Sequence, residues 1–354
     1  MMRIALIRAL ALGDMLCAVP TFRALRARFP DAHIALIGLP WAQELVRRFP
    51  AYLDELIEFP GFPGIPEVPV DPRRTTAFLA AMQERRFDLV VQLQGNGLVI
   101  NEFAALLAAR RLAGFVPHGI AGGAPHGTPR DDPADVWVPY PATGHEIDRL
   151  LTLTTALEAA GDDHLEFPVM AADRDDAEHL LTAAGIAGRP FAVIHAGGSR
   201  PDRRWPAQRF AEVADTLASD GLGILLTGTV GEADVTAAVA RTMHAGAADL
   251  AGRTSLGALA GLVEAAHIVV TNDTGVSHLA AAIGSDSVAV FSASDPARWA
   301  PRGAGRHVIV GTGVPDGEVG RVDVPVADVV DAAQRLLSDR TVRGTASGMS
   351  RSRA

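Results

Sequence analysis

Residues 268–282 read IVVTNDTGVSHLAAA and contain the most specific strand-to-helix turn of the chain. A β-branched run from Ile268 to Thr271 ends in short polar residues, and an apolar helical pattern begins at Thr274 or Gly275. The N–H groups that open such a helix form a site for an anion such as a pyrophosphate. Asp273 would repel a phosphate there, so we expect it to cap the helix or to contact a sugar hydroxyl.

His278 lies one turn beyond Thr274 on the same face of this predicted helix. A buried histidine with its hydrogen bonds satisfied and a histidine that contacts a ligand are both open interpretations.

Similar strand-to-helix units occur along most of the chain. Because strands alternate with helices, the pattern predicts parallel βαβ units, that is, an α/β protein with two doubly wound, Rossmann-like sheets. The predicted strands run from Ile4 to Arg8, His33 to Leu39, Glu55 to Phe59, Asp88 to Leu93, Phe191 to His195, Gly223 to Thr227, Ile268 to Thr271, Ser287 to Phe291 and His307 to Val310.

The chain has 354 residues, more than one hydrophobic core usually supports, so we expect two domains. A loop-rich stretch from Gly114 to Asp135 interrupts the pattern before a helix at about 146–160. We place the first domain at 1–165 and the second at 166–338, with a linker reaching about 188. The last helix, at about 326–337, either stays with the second domain or crosses back to the first. Residues 339–354 are predicted to be a disordered tail.

The net charge of −9 argues against a nucleic-acid binder. Residues 1–120, with 13 Arg and 11 acidic residues, are nearly neutral. This is typical of a solvated face, and it also leaves contact with an anionic acceptor or with a membrane surface open. Cys17 is the only cysteine, so neither a disulfide within the chain nor a zinc site is expected.

Without a signal-peptide pattern or a run of about 20 apolar residues, we expect a cytoplasmic protein.

Two further turns follow predicted strands of the second domain. His195 precedes Gly197, Gly198 and Ser199, small residues whose N–H groups can approach a phosphate, and Arg203 and Arg204 add positive charge beside them. Guanidinium binds phosphate in a bidentate manner, which suits a diphosphate.

Glu232 follows the next strand and opens a helix. It either stabilises the helix dipole or accepts hydrogen bonds from a nucleoside.

The first strand leads to Gly13 and Asp14, which place a carboxylate at the mouth of the predicted domain cleft. Such a carboxylate can accept a proton from a hydroxyl, although an acid at this position can also simply cap the helix. Pro20 predicts a kink or a restarted helix shortly afterwards.

Two other segments have competing interpretations. The stretch 59–72, FPGFPGIPEVPVDP, predicts a surface loop that is either an irregular connection or a lid with an acceptor contact. Asp173 and Asp175 form an Asp-X-Asp pattern at a predicted helix entry, where we interpret them as capping residues rather than metal ligands.

Taken together, the turns at Asp14, Ser199, Glu232 and 271–282, followed by Ser294 to Trp299, resemble glycosyltransferase family nine, the ADP-heptose:lipopolysaccharide heptosyltransferases. The resemblance covers about 3–337. It implies a GT-B fold, two Rossmann-like domains facing across a cleft, and inverting transfer of a sugar from a nucleoside diphosphate to a hydroxyl. The implied partners are a nucleotide sugar, with ADP-heptose expected, and a glycolipid or saccharide acceptor.

The resemblance also implies residue roles. Asp14 matches the general base, and Ser199 and Arg203 match residues that contact the donor phosphates, although the family usually has Lys where this chain has Arg203. Glu232 matches an acid near the nucleoside. The donor-binding turn is matched by Asp273, Thr274, Gly275 and His278, and Gly198 belongs to the phosphate turn.

These roles imply a single displacement with no metal or other cofactor. Two alternatives stay open: a sugar-nucleotide 2-epimerase of the same architecture, and a non-catalytic nucleotide-sugar-binding homologue. A dehydrogenase is disfavoured, because no strand is followed by a G-x-G-x-x-G turn.

Overall fold

The computed structural model describes residues 1–117, 132–315 and 318–351. The chain divides into two compact units, Met1–His164 and Leu165–Ala354.

The first unit is built on one parallel sheet. Its strands are β1 (Arg3–Ile7), β2 (His33–Gly38), β3 (Glu55–Glu58), β4 (Leu89–Gln92), β5 (Arg111–Val116) and β6 (Val136–Pro139), in the spatial order β3-β2-β1-β4-β5-β6. Its helices are α1 (Leu12–Cys17), α2 (Val19–Arg28), α3 (Ala42–Arg48), α4 (Pro72–Arg85), α5 (Ile100–Leu106) and α6 (Glu146–Ala156). The last four residues of β1 are fully buried, as expected for a central strand of a covered parallel sheet.

The second unit repeats this architecture. Its strands are β7 (Phe191–His195), β8 (Gly223–Leu226), β9 (Ala248–Asp249), β10 (Ile268–Asn272), β11 (Ser287–Val290) and β12 (His307–Val310), in the order β12-β11-β10-β7-β8-β9. Its helices are α7 (Ala171–Ala183), α8 (Ala207–Ser219), α9 (Ala233–Thr242), α10 (Leu256–Ala265), α11 (Gly275–Ile283), α12 (Pro296–Trp299) and α13 (Val326–Arg351).

Counted from its own first strand, each sheet has the order 3-2-1-4-5-6 of a doubly wound Rossmann fold. The predicted fold class, two Rossmann-like parallel sheets, is therefore confirmed. In each sheet the strand order reverses beside the first strand, between β1 and β4 and between β7 and β10. Ligands of open α/β sheets bind outside the carboxyl ends of the strands at such switch points.

The predicted loop from Gly114 to Asp135 is wrong at its start, because Gly114 belongs to β5. Ala113 and Gly114 have low strand propensity, but the segment is buried between two neighbouring strands, and this outweighs propensity. Residues 118–131 of the predicted loop lie outside the described residues. The edge strand β6 follows this loop. Neither β5 nor β6 was predicted as a strand.

Pro20 marks a restarted helix, as predicted. Helix α1 ends at Cys17 and α2 begins at Val19, so Pro20 lies in the first turn of α2, where its missing N–H leaves no hydrogen bond unmade. Val19, Phe22 and Leu25 of α2 recur at helical spacing and are fully buried.

Much of the predicted linker before residue 188 is helical. It contains α7, which packs on α10. The carboxylate of Asp173 accepts a hydrogen bond from the Met170 N–H at 2.7 Å, and this confirms the interpretation of Asp173 as a capping residue.

The last helix extends further than the sequence pattern indicated. Helix α13 begins at Val326 as predicted but continues past Leu337 to Arg351, through most of the segment expected to be disordered. Residues 352–354 of that predicted tail lie outside the described residues. Once the buried part of a helix has formed, adding each further residue avoids the cost of nucleation. The described packing of α13 is on α8, β10, β11 and β12 of the second unit.

The Pro-rich segment 59–72 packs into the first unit. Phe59 is fully buried, and the rings of Phe59 and Phe62 contact Phe103 edge-on at centroid distances of 5.1 and 5.3 Å. Gly61 has φ +90°, and a Cβ there would lie 2.7 Å from a backbone oxygen, so this turn requires glycine. The Thr75 hydroxyl donates to the Gly61 oxygen at 3.0 Å. The apolar side chains at 59 and 62 thus serve the core.

Among the helices of the described ranges, none has the length and apolar character that a membrane span requires.

Candidate active site

The second unit places two predicted turns side by side. In the sheet register Thr271 of β10 pairs with His195 of β7, so the turns that follow these strands emerge together at the carboxyl edge. This is the switch point of the second sheet.

Asn272 joins the two turns. Its side chain is buried, and its Nδ2 donates to the backbone oxygens of Ala196 at 2.9 Å and Gly197 at 3.0 Å. Its Oδ1 accepts from the Trp205 N–H at 2.9 Å. Three hydrogen bonds from one neutral amide therefore fix the chain after β7 against the end of β10. Asn272 was not predicted as a site residue, although an asparagine at the end of a buried strand was a visible signal.

Helix α11 begins at this point. Thr274 is its N-cap, with extended backbone angles, and its hydroxyl accepts from the Val276 N–H at 3.3 Å. The Thr271 hydroxyl lies 3.2 Å from the Thr274 hydroxyl, and the Ser277 hydroxyl donates to the Thr274 backbone oxygen at 2.8 Å. Gly275 is the first helical residue and is partly accessible. The positive end of the helix dipole is thus held at the switch point.

Glu232 fixes the glycine turn after β7. Its carboxylate accepts from the N–H of Gly198, from the Thr229 N–H at 2.7 Å and from the Thr229 hydroxyl at 2.9 Å. A Cβ at Gly197 would lie 2.4 Å from Glu232 Oε1, so the close approach depends on glycine. Burial raises the pKa of Glu232, but the Thr229 N–H, the neighbouring His195 and the other donors outweigh burial, and the net pKa lies below the ordinary value.

The structure therefore gives Glu232 a turn-holding role. Its contact with a nucleoside stays a prediction.

The two neighbouring arginines differ in their contacts. Arg204 donates from Nε at 2.8 Å and from Nη2 at 2.6 Å to the Gly198 oxygen, so it supports the turn. Arg203 lies in a short 3-10 turn, Pro201–Arg203, and is partly exposed, and its guanidinium has no hydrogen bond or ion pair to another described residue. Ser199 is exposed at the same turn. Arg203 and Ser199 are therefore accessible for a ligand, whereas Arg204 is engaged.

The two histidines of this region are buried. His195 Nδ1 lies 3.2 Å from the Thr227 hydroxyl. Burial lowers the pKa of His195 despite the opposing effect of Glu232, so His195 is neutral near pH 7. His278 is 2% exposed, and its ring meets Trp299 edge-on at 6.4 Å. Asp273 is half-buried at the turn before α11.

The first unit places Asp14 in the first turn of α1. The N-cap of α1 is Ala11, so Asp14 does not cap the helix. Its side chain is 28% exposed, which leaves the carboxylate accessible. The turn lies at the switch point of the first sheet, because Ile7 of β1 pairs with Gln92 of β4.

Arg8 lies behind Asp14 and is fully buried. Its Nε donates to the Asp14 backbone oxygen at 2.9 Å, and its Nη1 donates to the Leu93 oxygen. Its Nη2 lies 3.4 Å from Glu146 Oε1 and 4.0 Å from Asp14 Oδ1. The Tyr140 hydroxyl donates to Glu146 Oε2 at 2.8 Å. This network was not predicted from the sequence. Its one local signal was an arginine directly after an apolar strand, and with 32 arginines and no lysine a single arginine stands out little.

In the described ranges, no group of three or more His, Cys, Asp or Glu side chains is arranged to hold a metal ion.

Comparison with known proteins identifies the family. The family model of glycosyltransferase family 9 (heptosyltransferase) matches residues 75–316. The chain belongs to this family. The sequence resemblance predicted this family. The predicted enzyme class, a glycosyltransferase, is therefore confirmed.

Relatives of this glycosyltransferase support the same family. The chain is similar to lipopolysaccharide heptosyltransferase 2 of Salmonella typhimurium, with 26% identity over 305 residues. The match covers 83% of this chain and 84% of the relative.

Solved structures show the same fold. The Escherichia coli ADP-heptose lps heptosyltransferase II matches with a TM-score of 0.75 and 20% identity, covering 96% of this chain and 100% of that chain. The heptosyltransferase WaaC of Escherichia coli, solved with ADP-2-deoxy-2-fluoro heptose, matches with a TM-score of 0.64 and 20% identity, covering 96% and 100%. The fold class is GT-B.

Proposed function

We propose that the chain transfers a heptose from ADP-heptose to a hydroxyl of a lipopolysaccharide core or related saccharide, with inversion at the anomeric carbon. Family membership supports glycosyl transfer. The names of the relatives, and the ADP-sugar analogue bound to a heptosyltransferase of the same fold, support the donor and the acceptor class.

The observation that carries the donor assignment is the junction held by Asn272. It fixes the start of α11 beside the glycine turn after β7. We assign the donor diphosphate to the N–H groups at Gly275, with positive charge from Arg203 and a hydroxyl from Ser199 nearby. Gly198, Asp273, Thr274 and His278 line or support this site, and Glu232 holds the turn while facing the nucleoside. Backbone donors and a guanidinium stabilise the charge that develops on the leaving diphosphate.

Asp14 is assigned to the acceptor. Its carboxylate removes the proton of the acceptor hydroxyl, and the hydroxyl oxygen forms a bond to the anomeric carbon of the donor. The bond between that carbon and the diphosphate oxygen breaks, and ADP departs with the electron pair. One displacement inverts the anomeric configuration.

This chemistry needs no metal, because backbone N–H groups and an arginine take up the diphosphate charge. We also propose a cytoplasmic enzyme that meets its glycolipid acceptor at the inner face of the membrane. Chelation with EDTA should leave turnover unchanged, and loss of activity that Mg²⁺ restores would contradict metal independence.

The test is incubation with ADP-heptose, with and without lipopolysaccharide truncated before its heptose region. We expect ADP release that depends on the acceptor, together with an acceptor mass increased by one heptosyl group. Conversion of the donor sugar without acceptor would indicate an epimerase instead. If ADP-heptose neither stabilises the protein nor is consumed, the assignment fails.

A further inference from the structure

Three charged side chains meet behind the turn after β1, but only one of them reaches solvent. Arg8 is 0% exposed and Glu146 3%, whereas the Asp14 side chain is 28% exposed. A substrate can therefore meet Asp14, while Arg8 and Glu146 act only through it. A buried guanidinium is tolerated when its donors and its charge are matched, and here two backbone oxygens and one carboxylate match them.

The arginine lies between the two carboxylates. Its Nη2 is 3.4 Å from Glu146 Oε1 and 4.0 Å from Asp14 Oδ1, so Glu146 holds the nearer position. Further charged or titratable groups near this cluster, within the part of the chain that the structure describes, include Tyr140, His145 and Arg149. Tyr140 donates to Glu146, the Arg149 guanidinium lies 5.4 Å from the centre of the Tyr140 ring, and His145 accepts from the Ile147 N–H at the start of α6.

We propose that Arg8 and Glu146 are positioning residues for Asp14: Arg8 fixes its backbone, and Glu146 takes up the charge of Arg8 so that Asp14 stays an effective base. The inference rests on the general-base role proposed above. A cation paired with a carboxylate favours its ionised form and weakens it as a proton acceptor. Glu146 competes for the same guanidinium and limits this effect, while the Nε bond to the Asp14 oxygen keeps the first turn of α1 in place.

The deciding variant is Glu146→Gln, which keeps the size of the side chain and one acceptor oxygen but removes the charge. Its amide NH₂ can donate to the Tyr140 hydroxyl oxygen in place of the bond that Glu146 accepts. The charge of Arg8 is then no longer matched by the charge of Glu146. We therefore expect the acid limb of the profile of kcat/KM against pH to move to lower pH by about 0.5 to 1 unit. The plateau kcat should fall about 3- to 10-fold with the donor KM unchanged.

The matched control is Glu55→Gln, which removes the same charge from the same unit. Glu55 pairs with Arg85 at the amino end of β3. We expect it to leave the limb in place. The inference is overturned if the acid limb of kcat/KM in Glu146→Gln lies at the same pH as in the wild type. It is also overturned if the acid limb shifts equally in Glu146→Gln and Glu55→Gln.

A second variant covers the case in which Glu146→Gln does not fold. Arg8→Lys keeps the positive charge but cannot reach three acceptors at once. We expect kcat to fall about 5-fold or more while the acid limb stays near that of the wild type, and an unchanged kcat would overturn the positioning role of Arg8.

The variant Asp14→Asn distinguishes a failure of the general-base proposal from a failure of the positioning inference. If Asp14→Asn retains full turnover, the general-base proposal fails and this inference fails with it. If Asp14→Asn is inactive but the Glu146→Gln limb coincides with the wild type, only the inference fails.

Discussion

The two sheets share one strand order, yet their switch points are held by different chemistry. In the first unit the turn after β1 is held by a buried charge, the guanidinium of Arg8, matched by Glu146. In the second unit the turns after β7 and β10 are joined by the neutral amide of Asn272, and the buried His195 is neutral near pH 7.

The difference matches the two tasks proposed for these turns. A carboxylate that must accept a proton depends on the charges around it, which a buried ion pair can adjust. A site for a departing diphosphate depends instead on backbone donors held rigidly in place. The amide of Asn272 joins the two turns without a charge of its own, and the negative charge of Glu232 at the glycine turn is matched by three hydrogen-bond donors. With these proposed tasks, the same fold would support proton removal at one switch point and anion binding at the other.

The comparison predicts the largest effect for Asp14→Asn. We expect kcat to fall about 10²- to 10⁴-fold, the usual contribution of a general base, while the Kd for ADP stays unchanged. Turnover measured with ADP-heptose and calorimetry with ADP test the two parts separately. Asp31→Asn, an exposed aspartate of the same unit, is the control and should match the wild type. A parallel loss of ADP affinity would show that the two switch points do not have separate tasks.

The next effect is expected for Asn272→Ala, which leaves two buried carbonyls and one N–H without their partner. The free energy of unfolding should fall by about 2 to 4 kcal/mol, and the Kd for ADP should rise about 10- to 100-fold. Denaturant titration and calorimetry measure these quantities. The control is Asn96→Ala in the first unit, whose Oδ1 accepts only a local bond from the Leu98 N–H at 3.2 Å. Normal ADP affinity in folded Asn272→Ala would contradict the role of the junction.

A smaller effect is expected for Gly197→Ala. The added Cβ would displace the Glu232 carboxylate from the turn, and we expect the Kd for ADP to rise about 10-fold with little change in the acid limb of kcat/KM. Gly246→Ala is the matched control, because a Cβ there meets no atom within 4 Å. Equal ADP affinity in the two variants would remove the glycine turn from the donor site.

The smallest effect concerns pH and stability. Burial lowers the pKa of His195 in the folded state, so the unfolded chain binds the proton more readily. The buried His195 therefore contributes to the free energy of unfolding at pH values above the pKa of histidine in the unfolded chain. This contribution is lost as the pH falls below about 6.5, and the free energy of unfolding then changes by at most ~1.4 kcal/mol per pH unit. Replacement by Asn should flatten the dependence of the unfolding free energy between about pH 7 and 5. An unchanged slope in denaturant titrations would contradict a neutral, buried His195.

Much of the fold follows from the sequence, because the central strands are β-branched runs with polar turns directly behind them. Phe191–His195 and His307–Val310 were predicted to the residue. Two of the missed strands have a composition that misleads: β5 contains Ala113 and Gly114, and β9 has only two residues. The third missed strand, β6, follows the predicted loop at the edge of its sheet. Their place in the sheet depends on neighbouring strands, which no local pattern contains.

The helix start at Thr274 and Gly275 was predictable, because it depends on residues close in sequence. The contacts that hold the candidate site join residues far apart, such as Asn272 with Gly197 and Arg8 with Glu146, and only the fold brings these together. Glu232 shows the same limit. Its motif indicated a helix start or a ligand contact, whereas the structure uses its carboxylate to hold the turn at Gly198.

A crystal structure of the protein with ADP would locate the diphosphate of the donor. We expect diphosphate oxygens within about 3 Å of the backbone nitrogen of Gly275, with the Arg203 guanidinium beside them. Phosphates bound away from the start of α11, with Gly275 and Arg203 not contacting them, would contradict this expectation.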